Sequence, residues 1–382
     1  MRFLAVASVV VFHAYPFSPG VYIVAPPALG SAADFVRGFV SLALMRWALP
    51  FLGLVSGYLF FRTFKPTAAG YAAKLRTRVR TLLVPFLIWS GLGVLFTIAV
   101  THSSFAAVSP YWTIHSAGEA LNRWLLHPVL YPLWFLQALM TCMVLSPLVY
   151  LAVRTLRWWV LVLAVAWWVT GWQPMAVWPW ISATAFPPFI VGAAFALLGA
   201  RAPWGPRAPA RLVAAFAATW LAAAGLYTLY GHDLGRWVRA GLLPVVVLGI
   251  CVLWTAPDAL RRPLRASTTA FTDNEPDRLD RRDRGSRLVA AALFVAPLSF
   301  FVYVTQEPAL AVCKNLAGRA GAGVPEVIVY LVPPLVVIAG SVLVGLALRR
   351  LLPRTFAVAA GGRVPGAARG RAAGEAAVEV SR

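Results

Sequence analysis

Nine apolar runs long enough to cross a bilayer follow one another along this chain, at about 35–61, 79–101, 130–153, 156–173, 181–199, 211–231, 237–256, 288–311 and 324–348. A helical crossing needs roughly 20 residues. Residues 1–15 add a shorter tenth run. Such a chain has few structural options, because hydrocarbon leaves every backbone N–H and C=O to be satisfied internally, which favours helices. The prolines inside the runs do not exclude helix, since neighbouring helices can satisfy the freed groups. Composition agrees: 60% of the 382 residues are hydrophobic, 12% are charged and the mean hydropathy is +0.75. These values exclude an ordinary soluble domain.

Charge sets the orientation. A formal net charge of +21 could suggest a nucleic-acid partner. The distribution excludes that reading, because the basic residues cluster in short loops between apolar runs, where Lys and Arg mark the cytoplasmic side. Lys and Arg together number six in 62–80, two in 154–157, three in 200–211, eight in 257–287 and seven in 349–382. The alternate loops carry none in 16–34, one in 102–129, none in 174–180, one in 232–236 and two in 312–323. The alternation predicts an all-α polytopic membrane protein of about ten transmembrane helices, with both termini in the cytoplasm. No small-residue cleavage site follows the first run, so it reads as a span rather than a signal peptide. Phe3–Tyr15 is nevertheless short for a span. An earlier translation start is expected, and the intact mass of the native protein tests it.

One membrane domain is expected over 1–352. Within it, 257–287 mixes eight basic with six acidic residues, a composition that cannot bury a core, and reads as a flexible cytoplasmic loop. Residues 353–382 are rich in Ala, Gly and Arg and read as a disordered basic tail. Cys142, Cys251 and Cys313 are far apart and suggest core positions, with no metal site. No internal repeat is visible, which disfavours transporter folds built from inverted repeats.

The chain opens MRFLAVASVVVFHAYPF, placing Arg2 and His13 in one apolar run. Ionisable groups inside a membrane are costly and point to function. They stand eleven residues apart, almost three whole helical turns, so they share a face with a separation of roughly 16 Å. Arg2 is then cytoplasmic and His13 lies in the outer half. Level with Arg2, the third run begins KLRTRVRTLLVPFLIW, bringing Lys74, Arg76, Arg78 and Arg80 to the inner surface. The second run ends SGYLFFR and brings Ser56 and Tyr58 to the same level. This inner layer could receive a polyanionic ligand, although positive-inside anchoring alone would also explain such cations. Near the depth of His13 stand Tyr303, Gln306 and Glu307 of SFFVYVTQEPAL, and Trp134 and Gln137 of YPLWFLQAL. For these the plain alternative is hydrogen bonding between helices.

Five stretches in order resemble a known family: RFLAVASVVVFH, LPFLGLVSGYLFFR, KLRTRVRTLLVPFLIW, PLWFLQALMTCMVLSPLVY and SFFVYVTQEPAL. Together they look like the acyltransferase-3 family of ten-span bacterial membrane proteins, which O-acylate sugars. The resemblance implies a transfer from cytoplasmic acyl-CoA, with acetyl as the default group, to a hydroxyl of a sugar, glycan or lipid-linked saccharide outside the membrane. It implies a place in the bacterial cytoplasmic membrane and acyl-CoA as a substrate rather than a bound cofactor. By the same resemblance, His13 would be the catalytic histidine with Arg2 its partner, while depth in the membrane puts Glu307 at its side. Arg78, with Arg80, Arg76, Ser56 and Tyr58, would hold the donor. Trp134, Gln137, Tyr303 and Gln306 would face the acceptor. The chain departs from the family pattern at Gln306, where His is frequent, and at Gln137 and Ala138, where relatives carry a charged pair. It departs again at Thr81, where a second arginine is usual. A glycan flippase, or a degenerate member acting as a scaffold, remain the competing readings.

Overall fold

The computed structural model describes residues 1–15, 26–101, 113–173, 180–199, 210–269, 296–319 and 325–362. Among them every regular element is helical. Helix α1 (Arg2–His13) opens the chain. The stretch Ala32–Arg62 joins α2 (Ala32–Arg37), a π-helical turn Gly38–Ala43, a 3-10 turn Leu44–Trp47 and α3 (Ala48–Arg62). Ala68–Val100 similarly joins α4 (Ala68–Arg78), a π-helical turn Val79–Leu83 and α5 (Val84–Val100). The shorter helices α6 (Ala117–Leu125), α7 (Trp134–Val144), α8 (Ser146–Leu156), α9 (Trp159–Thr170) and α10 (Phe186–Leu197) follow. The long helices α11 (Ala210–Tyr230), α12 (Val238–Thr269), α13 (Ser299–Arg319) and α14 (Glu326–Leu351) precede the terminal α15 (Pro353–Ala359).

Each of the ten apolar runs carries a helix, but the helices differ in reach. Among the described residues four stretches are long and apolar enough to cross a membrane: Ala32–Arg62, Ala68–Val100, Arg211–Leu253 and Glu326–Leu351. The third breaks at Gly235, at φ 49° and ψ −124°, into α11 and α12, which pack side by side. Helices α1, α9 and α10 have only 12 residues each. The single span expected over 130–153 is broken, with α7 and α8 bent by 62° around Leu145. Pro147, in the first turn of α8, has no N–H to continue the ladder.

Two soluble stretches also differ from expectation. Helix α12 runs on to Thr269, so the start of the expected 257–287 loop is helical, and the remainder lies outside the described residues. The tail expected from 353 begins with α15. Its Phe356 is buried against Phe301, and the Ala359 carbonyl accepts a 3.0 Å hydrogen bond from Trp89 Nε1 on α5. Residues 363–382 lie outside the described residues.

Helix α1 is central. Ala5, Val6, Val9 and Val10 are buried with Trp47 and Phe51 on one side and Val302 and Val304 of α13 on the other. Ser41 Oγ, in the first π turn, donates to the Val11 carbonyl at 2.7 Å and accepts from Tyr330 of α14 at the same distance, tying three helices together. The closest crossing joins α3 to α10. Gly53 and Gly57 carry the small-xxx-small spacing that lets membrane helices approach. A Cβ on Gly57 would overlap the Phe189 carbonyl, and one on Gly192 the Leu54 carbonyl.

Candidate active site

The polar groups gather at the two ends of α1. At its first residue, exposed Arg2 lies close enough to Arg78 for the two charges to act on each other. Arg78 ends α4 and is half-buried, and its Nε is enclosed with no hydrogen-bond partner. Arg76 and Arg80 are exposed beside it. Among the described residues no carboxylate pairs with any of these four arginines. Like charges held together without an acid form a natural receptor for a polyanion. Lys74 lies close enough to Arg78 for their charges to act on each other, while its ammonium donates to Thr63 Oγ1 and lies over the Phe60 ring. Ser56 and Tyr58 sit half-buried on α3, and among the described residues no hydrogen bond ties them to the arginines.

At the other end, His13 is 8% exposed and its Nδ1 is buried without a partner. Its ring stands edge-on to Tyr131, with centroids 6.0 Å apart. Buried Gln306 of α13 lies against the imidazole, yet neither of its amide atoms reaches hydrogen-bonding geometry. His13, Tyr131 and Trp134 line a cavity of about 40 Å³, with Arg46 and Arg239 also in its wall. A largely apolar space of this size with a few polar groups in its wall admits water or a small functional group. The imidazole of His13, lining this cavity, can take a proton from a hydroxyl placed there.

Other expected residues stand apart. Gln137 Nε2 donates to the Leu125 and Leu126 carbonyls at 3.2 and 3.0 Å, closing the C-terminal end of α6. Its amide is therefore turned away from the cavity for a structural reason. Buried Tyr303 donates its hydroxyl to the Pro132 carbonyl, fixing α13 against the turn before α7. Glu307 acts on the charge of Lys314, two turns further along α13. Lys314 Nζ donates to the His13 carbonyl at 2.7 Å and the Tyr15 carbonyl at 3.1 Å. A cation at the C-terminal carbonyls of a helix meets the negative end of its dipole. Glu307 thus reaches His13 through Lys314 and the backbone.

Sequence reading missed Lys314, Arg46 and Arg239. Lys314 was assigned to an outward loop, and the two arginines lie inside apolar runs, where a loop census does not register them. Arg46 was detectable as a cation near the middle of Ala32–Arg62. Among the described residues no group of His, Cys, Asp or Glu could hold a metal.

A family model described as an acyltransferase domain matches residues 1–350. The chain is 29% identical over 373 residues to the succinoglycan biosynthesis protein ExoH of Rhizobium meliloti (strain 1021), covering 95% of this chain and 91% of that protein. No solved structure matches the chain. With the match spanning α1 to α14 and both polar ends of α1, the chain belongs to the acyltransferase-3 family and is an O-acyltransferase of the membrane.

Proposed function

We propose that the protein transfers an acyl group, by default acetyl, from cytoplasmic acyl-CoA to a hydroxyl of a polysaccharide or its lipid-linked precursor on the far side of the bacterial cytoplasmic membrane. The observation that carries this reading is α1 itself. One short helix bears Arg2 beside the unpartnered Arg78 Nε at one end and His13, in the wall of the cavity, at the other. The ends are roughly 16 Å apart, a distance an extended phosphopantetheine arm can bridge. The glycan acceptor is supported by the likeness to a protein of succinoglycan biosynthesis. The proposed topology is ten spans with both termini cytoplasmic, in keeping with the alternation of basic and non-basic loops.

In this mechanism Arg2, Arg78 and Arg80 hold the coenzyme phosphates and the thioester reaches His13. His13 removes the proton of the acceptor hydroxyl, whose oxygen attacks the thioester carbonyl. The new C–O bond forms, the C–S bond breaks, and the departing thiolate takes the proton back from the imidazolium. Trp134 flanks the acceptor, and Gln306 turns to hydrogen-bond the imidazole when substrates fill the cavity.

The test is mass spectrometry of surface glycans from the native host. It compares a deletion strain, the restored chain and the restored chain carrying His13→Ala at equal membrane abundance. An acyl mass increment is expected with the intact chain only. Identical glycans in all three strains would overturn the acceptor assignment, and full modification by His13→Ala would overturn the role of the histidine.

A further inference from the structure

The mechanism above makes no use of α15, yet this short helix is tied down at three points. Its Phe356 is buried, with the ring 5.6 Å from that of Phe301 on α13. Trp89 of α5 stands edge-on to the same Phe301 and donates its Nε1 hydrogen to the Ala359 carbonyl at 3.0 Å. The third point is Gly361, which closes the helix at φ 66° with its N–H on the Val358 carbonyl at 3.0 Å. Left-handed backbone of this kind favours glycine. Gly361 is buried, and a Cβ there would stand 2.6 Å from the Thr81 carbonyl oxygen and 3.3 Å from Cγ of Pro85.

Thr81 is the middle residue of the π turn Val79–Leu83. Its Oγ1 donates to the carbonyl of Thr77 at 3.0 Å, and Thr77 stands between Arg76 and Arg78. Arg80 directly precedes Thr81. A π turn is rare, with poorer bonding than the α-helix it interrupts. Pro85, four residues after Thr81, has no N–H with which to restore the α-helical ladder there. Packing from outside the helix therefore decides how this turn is held, and the packing that reaches its middle residue is the backbone of Gly361.

Resting on the reading of Arg78 and Arg80 as donor ligands, we propose that α15 and Gly361 form a strap that holds the π turn in the orientation aiming these arginines at the coenzyme phosphates. Gly361, Phe356 and Trp89 are positioning residues: they act on the donor through Thr81 and the arginines on either side of it.

The full chain in lipid nanodiscs is titrated with acetyl-CoA as wild type, Gly361→Ala, Phe356→Ala and Trp89→Phe, the last keeping an aromatic ring without the N–H. Gly361→Ala and Phe356→Ala are expected to weaken acetyl-CoA binding about tenfold, as the loss of one charge-assisted hydrogen bond would. Trp89→Phe follows in the same direction with a smaller loss. Turnover of the glycan fraction of the deletion strain at saturating donor is expected to stay at the wild-type kcat, so that the change falls on KM for the donor. A double-mutant cycle separates aim from bulk stability. With Arg78→Gln and Arg80→Gln already in place, Gly361→Ala is expected to cost no further donor affinity, because a misdirected arginine and an absent one are then alike. Variants that bind acetyl-CoA as wild type does overturn the proposal. So does a Gly361→Ala loss that is as large without the two arginines as with them, or a parallel fall in donor affinity, kcat and melting temperature, which would assign α15 to stability alone. If Phe356→Ala fails to fold, Gly361→Ala and Trp89→Phe carry the same comparison. If wild type does not bind acetyl-CoA, the donor reading fails instead. The strap is then judged by hydrogen exchange across Val79–Leu83: faster exchange in Gly361→Ala than in wild type supports it, and equal exchange overturns it.

Discussion

Lys314 shows how one residue can govern the turn that carries the proposed catalytic histidine, His13. Its ammonium closes the end of α1 through the His13 and Tyr15 carbonyls, and Glu307 balances its charge. Lys314→Met removes two hydrogen bonds from a charged donor, a loss of about 1.5–3 kcal/mol for each. Because that loss falls on the turn carrying His13, kcat is expected to drop tenfold or more while acyl-CoA affinity at Arg2 and Arg78 holds. Steady-state kinetics with a direct donor-binding assay checks this, and a parallel fall in both would point to general unfolding. At this scale the sequence disclosed what spacing can disclose. Arg2 and His13 were recognisable because a helical period puts them on one face. Gln137 was not, because a glutamine that closes a neighbouring helix and one that binds substrate read alike until the partner carbonyls are known. Lys314 was invisible for the opposite reason: a lysine just past an apolar run looks like loop charge, whichever way it folds back.

Helices were recognised by hydropathy, and their lengths were not. Apolar runs survive as helices because each must satisfy its own backbone, but where a helix bends depends on local chemistry and on neighbours. Pro147 breaks the α7–α8 run and Gly235 turns α11 back along α12. Phe356 extends the folded part of the chain into a stretch whose composition suggests disorder, because a single aromatic finds Phe301. The α3–α10 crossing provides a test at this scale. Gly57→Ala directs a methyl at a backbone carbonyl that no rotamer change can move. A destabilisation of about 1–3 kcal/mol is expected, in the range of overpacked cores. Thermal unfolding of the purified protein measures it; a wild-type melting temperature would mean that the two helices can slide apart at no cost.

For the whole molecule, the proposed topology, drawn from the charge alternation, puts the Arg2 end of α1 on the cytoplasmic side. The direct check uses a chain freed of Cys142, Cys251 and Cys313, given one cysteine at a time and exposed to a membrane-impermeant thiol reagent on intact cells. Asp233→Cys, in the turn between α11 and α12, is expected to react from outside. Arg284→Cys, in the 257–287 stretch, is expected to react only after the membrane is opened. The reverse pattern would place the arginine cluster on the wrong side for a cytoplasmic donor.

The π turn at Val79–Leu83 has a consequence for tracing descent. Its wider hydrogen-bond loop fits one more residue than an α turn would hold. Each residue turns a helix by about 100°, so the extra one swings Arg76 and Arg78 around relative to α5. Loss of that residue in another lineage would leave the apolar span intact while pointing the same arginines elsewhere. Comparisons of kindred chains therefore need a single gap placed inside this turn. Arginines paired by simple column counting across it would match in letter and differ in direction.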